Sequence, residues 1–214
     1  MSTVLFIGAP QSTFVRTVRI AAEERGIAYE NRFAMPHSPE IDAIHPLGKI
    51  PVMRHNDVEL CESRAIITYL DMSFPGARLA SSDALTAAKT EQFIGMFNAT
   101  IQPLLGPGYI GAYFFSGNAD GSPDRTRIDT NMGKVTDYLA LLAGMVKSGH
   151  LVGGDFTLAD AYLIPPLYYL KNLPESGAII AKSNALSAYI ERHDVRPSVK
   201  ATVPPPLPGR DKAA

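Results

Sequence analysis

"GKIPVMRHNDVELCESRAII", residues 48–67, reads as two short strands and a helix. Pro51 to His55 and Val58 to Cys61 are strand-like runs on either side of a turn at Asn56-Asp57. From Ser63 to about Met72, Ile66, Ile67 and Leu70 fall on one helical face. The strand opens on Pro51, which cannot donate a ladder hydrogen bond, so the position belongs to an edge or to a cis linkage; for X–Pro the cis form costs only about 0.5–1 kcal/mol. A cis Ile50-Pro51 bond would turn the N–H and C=O of Ile50 outward, where a second peptide can be gripped by main-chain hydrogen bonds.

The polar pair Glu62-Ser63 falls where strand becomes helix. Ser63 suits an N-cap, and its hydroxyl with the free N–H groups of a helix start can hold a carboxylate. Glu62 would attract an ammonium. A ligand carrying both charges on one carbon, an α-amino acid end, satisfies the two together. The plainer alternative is a capping serine beside a solvated first-turn acid.

Upstream, Val4 to Ile7 is continuously apolar, as in a strand covered on both faces, and Gly8-Ala9-Pro10-Gln11 breaks it. Phe14, Val18 and Ala21, with Val15 and Ala22, then repeat at helical spacing over 13–25 until Gly26. Tyr29 to Ala34 is a weaker strand, and residues 38–45 suit a short helix. The order β-α-β-α-β-β-α predicts a small mixed sheet: strands joined through a helix lie parallel, and the last hairpin is antiparallel.

Beyond about Ser81 only helical patterns remain. Leu85, Ala88, Phe93, Phe97 and Ile101 mark a long helix that Pro103 and Gly106-Pro107-Gly108 should end. Ser122-Pro123-Asp124 starts another, with Ile128, Met132, Val135, Leu139, Leu142 and Val146 along its buried stripe. "TLAD", 157–160, predicts a capping-box start, Pro165-Pro166 should kink or shorten the helix that follows, and a last helix covers 186–193. The expected division is a first domain over 1–76, a linker at 77–83, a helical domain over 84–202 and a Pro-rich tail at 203–214, an extended arm or disorder.

Twenty basic and 21 acidic residues among 214, with no basic block, leave no footprint for nucleic acid or an anionic membrane. Neither a targeting segment nor a membrane-length apolar run is present in the sequence. One cysteine, Cys61, excludes an internal disulfide and a CxxC redox pair and suits a cytoplasmic protein, where it is a small buried hydrophobe. His37, His45, His55, His150 and His193 have no partner at metal-site spacing, so no metal is expected. Nor does any Gly-rich loop have a nucleotide-binding order.

The ordered set "IGAPQSTFVRTVRIAAEERGIAYE", "HPLGKIPV", "LCESRAIITYL", "GGDFTLADAYL" and "RHDVRPSVKAT" resembles the cytosolic glutathione transferases over nearly the whole chain. The resemblance implies a thioredoxin-like domain that binds glutathione and an all-helical domain for the second substrate, an apolar electrophile, in a homodimer. It assigns Glu62 and Ser63 to the γ-glutamyl end of glutathione, the backbone of Ile50 beside Pro51 to the cysteinyl unit, and Lys49 to the glycyl carboxylate. Tyrosine-type members carry their hydroxyl at the end of the first strand, where this chain has Phe6-Ile7-Gly8. Ser12 instead sits where serine-type members carry theirs, with Thr13 as its neighbouring candidate. Ser12-Thr13-Phe14 departs from the Ser-Ser-Cys run of zeta-type isomerases and lacks the first-turn cysteine of thiol-exchanging members. Phe14, Tyr109 and Tyr113, with Phe114 and Phe115 nearby, are candidate walls for the electrophile, although such aromatics more often simply pack. A non-catalytic carrier or regulatory protein of the same fold, like the starvation-protein relatives, is the alternative function.

Overall fold

The computed structural model describes residues 3–146 and 149–206. The chain divides into two compact units, residues 1–81 with 195–214 and residues 82–194.

In the first unit the strands are β1 (Val4–Ile7), β2 (Tyr29–Arg32), β3 (Val52–His55) and β4 (Val58–Cys61). The sheet order is β2-β1-β3-β4. β1 and β2, joined through α1 (Thr13–Glu24), are parallel; β3 is antiparallel to both β1 and β4. α2 (Pro39–Asp42) is a single turn, and α3 (Ser63–Ser73) follows β4 directly. On one face Ile7, Ala34, Ile41 and Val52 form a core that Leu5, Ile44, Ile50 and Cys61 complete. The buried stripes of α1 (Val15, Val18, Ala21, Ala22) and α3 (Ile66, Ile67, Leu70) pack together. Gly8 has φ +153°, and a Cβ there would lie 2.7 Å from Val15 Cγ2 and 3.0 Å from Ile50 Cβ, so its missing side chain lets the β1–α1 turn close against the start of β3.

A buried ion pair closes this unit. Arg25, at the end of α1, lies 3.1 Å from Asp71 of α3, their side chains 1% and 4% exposed. The guanidinium also donates to the Phe74 carbonyl at 2.8 Å and to that of Ala77, and the Asp71 carboxylate accepts the N–H groups of Leu79 and Ala80. This pins the segment after α3.

The expected helical domain over 84–202 is too long by its final turn. α10 (Pro197–Ala201) belongs to the first unit and packs on α1. Arg196 forks onto Glu24 with two 2.7 Å hydrogen bonds, Ser198 donates to the same carboxylate, and Arg16 reaches the Val199 carbonyl at 3.2 Å. Arg16 and Val199 are each 1% exposed, so both the polar bonds and the apolar burial draw this turn onto α1. At the start of the expected tail Pro204 is buried, and Gln11 Nε2 donates to the carbonyls of Pro205 and Pro206 at 3.2 Å. Residues 207–214 lie outside the described residues.

The second unit is helical: α4 (Ala84–Met96), α5 (Gly111–Phe114), α6 (Arg125–Met145), α7 (Leu158–Leu170), α8 (Pro174–Ala181) and α9 (Asn184–Asp194). Two of its helices outlast the sequence expectation. Pro103 and the Gly106-Pro107-Gly108 cluster do not end the helical path; it widens into π-type turns at Phe97–Ile101 and Leu104–Ile110 and runs on through α5. Burial of Ile101, Leu105 and Tyr109 favours continuation, and Asn131 of α6 donates to the Gly108 carbonyl at 3.3 Å. Likewise α7 passes through Pro165 and Pro166 to Leu170. An interior proline costs about 3 kcal/mol, but each buried Leu or Ile returns about 1.5–3 kcal/mol, and Leu158, Leu163, Ile164, Leu167 and Leu170 are all buried. The stripe expected along α6 is buried at Ile128, Val135, Leu139 and Leu142 and continues to Val146, while Met132 is half-buried. Among the described residues no helix is long and apolar enough to cross a membrane.

Candidate functional site

The sheet register gathers the expected residues of the first unit at one end. Ile7, the last residue of β1, pairs with Val52, the first of β3, and Val52 pairs with Cys61, the last of β4. The chain segments just beyond these three residues therefore meet at the same sheet end: Gly8 to Ser12 after β1, Ile50-Pro51 before β3, and Glu62-Ser63 after β4. Since α1 and α3 both start there, their positive ends point to the same place. Anions and carbonyl-bearing peptides are the ligands such an arrangement favours.

Ser12 is the N-cap of α1, with φ −64° and ψ 131°. Its hydroxyl accepts the Val15 N–H at 3.4 Å, and that role uses a lone pair and leaves its proton available to donate. Thr13 is the first helical residue; Phe14, on the same turn, is half-buried. The Ile50-Pro51 bond is cis. Pro51 is buried, Ile50 half-buried and Lys49 exposed.

Ser63 is not the N-cap. Glu62 takes that position with φ +68°, a left-handed turn that carries β4 straight into α3, and Ser63 becomes the first helical residue, 6% exposed. The Glu62 side chain makes no cap bond and is 67% exposed, with one carboxylate oxygen 3.4 Å from Nε2 of the buried His45. In the sequence His45 is one of several scattered histidines. The two residues lie 17 positions apart, and only the folded loop before β3 brings them together.

Cys61 is half-buried in the apolar core opposite Val52, in keeping with the reading of a small packed hydrophobe.

In the second unit, Tyr109 is wholly buried and Tyr113 nearly so, and both donate to Glu175, Tyr109 at 3.1 Å. Tyr109 also accepts the Ser176 N–H at 3.2 Å, and Arg125 closes on Glu175 at 2.6 Å. Burial raises both phenols above the ordinary tyrosine range, for Tyr113 with the Glu175 carboxylate adding to it. Burial alone would raise the Glu175 carboxyl as well, but the hydrogen bonds from Tyr113 and Arg125 outweigh it and hold its pKa at about 2. Phe114 rests edge-on against Tyr169, 5.7 Å between centroids, whereas Phe115 is exposed.

His150, Asp160 and His193, all buried, bring ligand atoms within 4.8 Å of one another, a cluster that their sequence spacing concealed. The carboxylate is already occupied by donors. Its Oδ1 accepts the Leu151 N–H and the Tyr189 hydroxyl, both at 2.9 Å, and its Oδ2 accepts the Thr157 N–H at 2.8 Å and the Thr157 hydroxyl at 3.1 Å. Four donors fill the four lone-pair positions, so Asp160 acts as the anchor of the α7 start that "TLAD" predicts. An open hollow of about 410 Å³, lined by Val146, Ala185, Ala188, Tyr189 and Arg192, holds none of the expected site residues.

Two family models match the chain: the glutathione S-transferase N-terminal domain over residues 6–78 and the glutathione S-transferase C-terminal domain over residues 125–192. Glutathione S-transferase 3 of Zea mays is 27% identical, the match covering 96% of this chain and 98% of the maize protein. A stringent starvation protein A homolog of Pasteurella multocida is 26% identical over 84% of this chain and 80% of its own. Among solved structures, glutathione transferase F7 from Populus trichocarpa superposes with a TM-score of 0.78 at 26% identity, over 94% of this chain and 97% of the poplar chain.

Proposed function

For this chain, which belongs to the glutathione S-transferase family and is an enzyme of that family, we propose that Ser12 stabilises the thiolate of bound glutathione for attack on an apolar electrophile. The observation that carries the reading is the convergence at one sheet end of Ser12, cis-Pro51 and the Glu62-Ser63 pair, beneath two helix N-termini.

In this reading Glu62 binds the ammonium and Ser63, with the first N–H groups of α3, binds the carboxylate of the γ-glutamyl end. The backbone of Ile50 pairs with the cysteinyl unit beside Pro51, and the exposed Lys49 reaches the glycyl carboxylate. The thiol then lies at the start of α1. A free thiol has a pKa of about 8.5, and lowering it by about two units requires about 2.7 kcal/mol of preferential stabilisation of the anion. One hydroxyl donor to an anion supplies about 1.5–3 kcal/mol, and the α1 positive end adds to it. Thr13 is the alternative donor. The thiol proton passes to solvent, the thiolate attacks the electrophilic carbon, a C–S bond forms, and the leaving group departs with its electron pair or, for an epoxide, the ring C–O bond breaks and its oxygen takes a proton from solvent. Phe14 supplies apolar contact to the electrophile from the first turn of α1. Within the helical unit, Tyr109 and Tyr113 are both tied to Glu175, Tyr113 being the more exposed of the two. The family likeness supports a homodimer acting on small electrophiles in the cytoplasm.

The match to a stringent starvation protein A homolog favours one second reading, a regulatory protein that keeps the fold without turnover. Isothermal calorimetry with reduced glutathione, followed by assays on aryl halides, epoxides and hydroperoxides, separates the two. Binding with conversion of at least one electrophile supports the enzyme; binding with conversion of none supports the regulator. Absence of any binding heat removes the glutathione site itself.

A further inference from the structure

The pairing of His45 with Glu62 has no role in the reading above and extends it. His45 is 3% exposed, on the loop between α2 and β3. Its backbone is held at both ends: its N–H donates to the Ile41 carbonyl at 2.8 Å, and its carbonyl accepts the Gly48 N–H at 2.9 Å. Its ring is held too, because Nδ1 accepts the Leu47 N–H at 3.0 Å. A ring nitrogen that accepts carries no proton, so the proton sits on Nε2, the nitrogen 3.4 Å from Glu62 Oε1. A locked ring thus sets its Nε2 3.4 Å from a carboxylate that is otherwise 67% exposed and makes no bond to its own helix.

We propose that His45 is a positioning residue for the amino-acid head of the ligand: it holds one oxygen of Glu62 and leaves the other for the α-ammonium. This rests on the glutathione reading. The physical reason is entropic. A glutamate at an exposed helix start has several rotamers, and binding must select one; a buried donor that selects it beforehand lowers the ordering cost at the moment of binding. His45 touches no reacting atom, so its effect falls on affinity for the head group and not on the chemical step.

The test is His45→Asn. Asparagine two residues before Leu47 can still accept the Leu47 N–H, as in an Asx turn, but is too short to reach Glu62. By calorimetry, H45N should weaken glutathione binding about threefold to tenfold, the size of a lost polar contact to a charged group, and raise KM for glutathione with kcat unchanged. In a Glu62→Gln background, H45N should add less than about twofold. Affinity for a glutathione analogue lacking the α-amino group should not change between the parent protein and H45N. A parent protein that binds glutathione and an H45N protein that binds it as tightly overturn the inference alone; a parent protein that binds none overturns the glutathione reading and this inference with it. Should H45N fail to fold, ring ¹⁵N shifts of His45 in the unsubstituted protein decide. An Nε2–H tautomer whose shifts move in Glu62→Gln supports the pairing, and an Nδ1–H tautomer overturns it.

Discussion

The Tyr189 hydroxyl donates to the Asp160 carboxylate at 2.9 Å, joining α9 to the start of α7 in the interior of the helical unit. Asp160→Ala would strand four buried donors, the Leu151 and Thr157 N–H groups, the Thr157 hydroxyl and this phenol. At about 1–3 kcal/mol for each unsatisfied group, the expected loss is at least about 4 kcal/mol, read as a lowered urea midpoint. Burial, with the Asp160 charge adding to it, raises the Tyr189 pKa well above its ordinary 10.0. The unfolded chain releases this proton above about pH 10 while the folded chain keeps it, so stability is fully present below that pH and falls as pH rises. Tyr189→Phe should flatten the alkaline side of the stability curve by up to about 1.4 kcal/mol per pH unit.

Glu175 gives the opposite slope. Its folded pKa of about 2 lies below the ordinary 4.5, so its contribution is present above about pH 4.5 and is lost as pH falls toward 2. Glu175→Gln should be less stable than the parent at pH 7 and should lose less stability between those two pH values. Parallel slopes in acid titrations of the two proteins would show that the carboxylate is not the group responsible.

Asp71→Ala leaves the Arg25 guanidinium buried without its carboxylate and two backbone N–H groups without an acceptor. Removing one partner of a buried ion pair typically costs about 3–5 kcal/mol, and a loss of that size is expected in thermal or urea unfolding. Hydrogen exchange should quicken first at Leu79 and Ala80.

For Ser12, two losses should appear together in Ser12→Ala. The cap of α1 is worth about 0.5–2 kcal/mol of stability. The missing donor should also raise the pKa of the bound thiol by about 1–2 units, followed by thiolate absorbance near 240 nm. Ser12→Thr should restore most of both. A thiol titration that does not move in Ser12→Ala assigns the stabilisation to Thr13 or to a backbone amide.

Much of the first unit was legible because its signals are local. Continuous apolar β1, the hairpin turn at Asn56-Asp57 and the helical spacing of Ile66, Ile67 and Leu70 each lie within a dozen residues, and Pro51 announces its own geometry. What sequence reading missed depends on long-range packing. Pro165 and Pro166 look like helix breakers, yet α7 is buried almost all round and the core outweighs their penalty. The 195–202 segment looks like a continuation of the helical domain, and only the Glu24 fork, 172 residues away from Arg196, returns it to α1. His45 with Glu62, and His150 with Asp160 and His193, are likewise neighbours in space and not in spacing.

The return of Val199 and Arg196 to α1 has a consequence for biosynthesis. A ribosome that has released residues 1–81 has not yet made the cover for one side of that helix, and Arg16 and Glu24 stay without these partners until residues 196–199 have emerged. The first unit is therefore completed only after the second has been translated, and a premature stop ahead of residue 195 would deprive it of its closing turn.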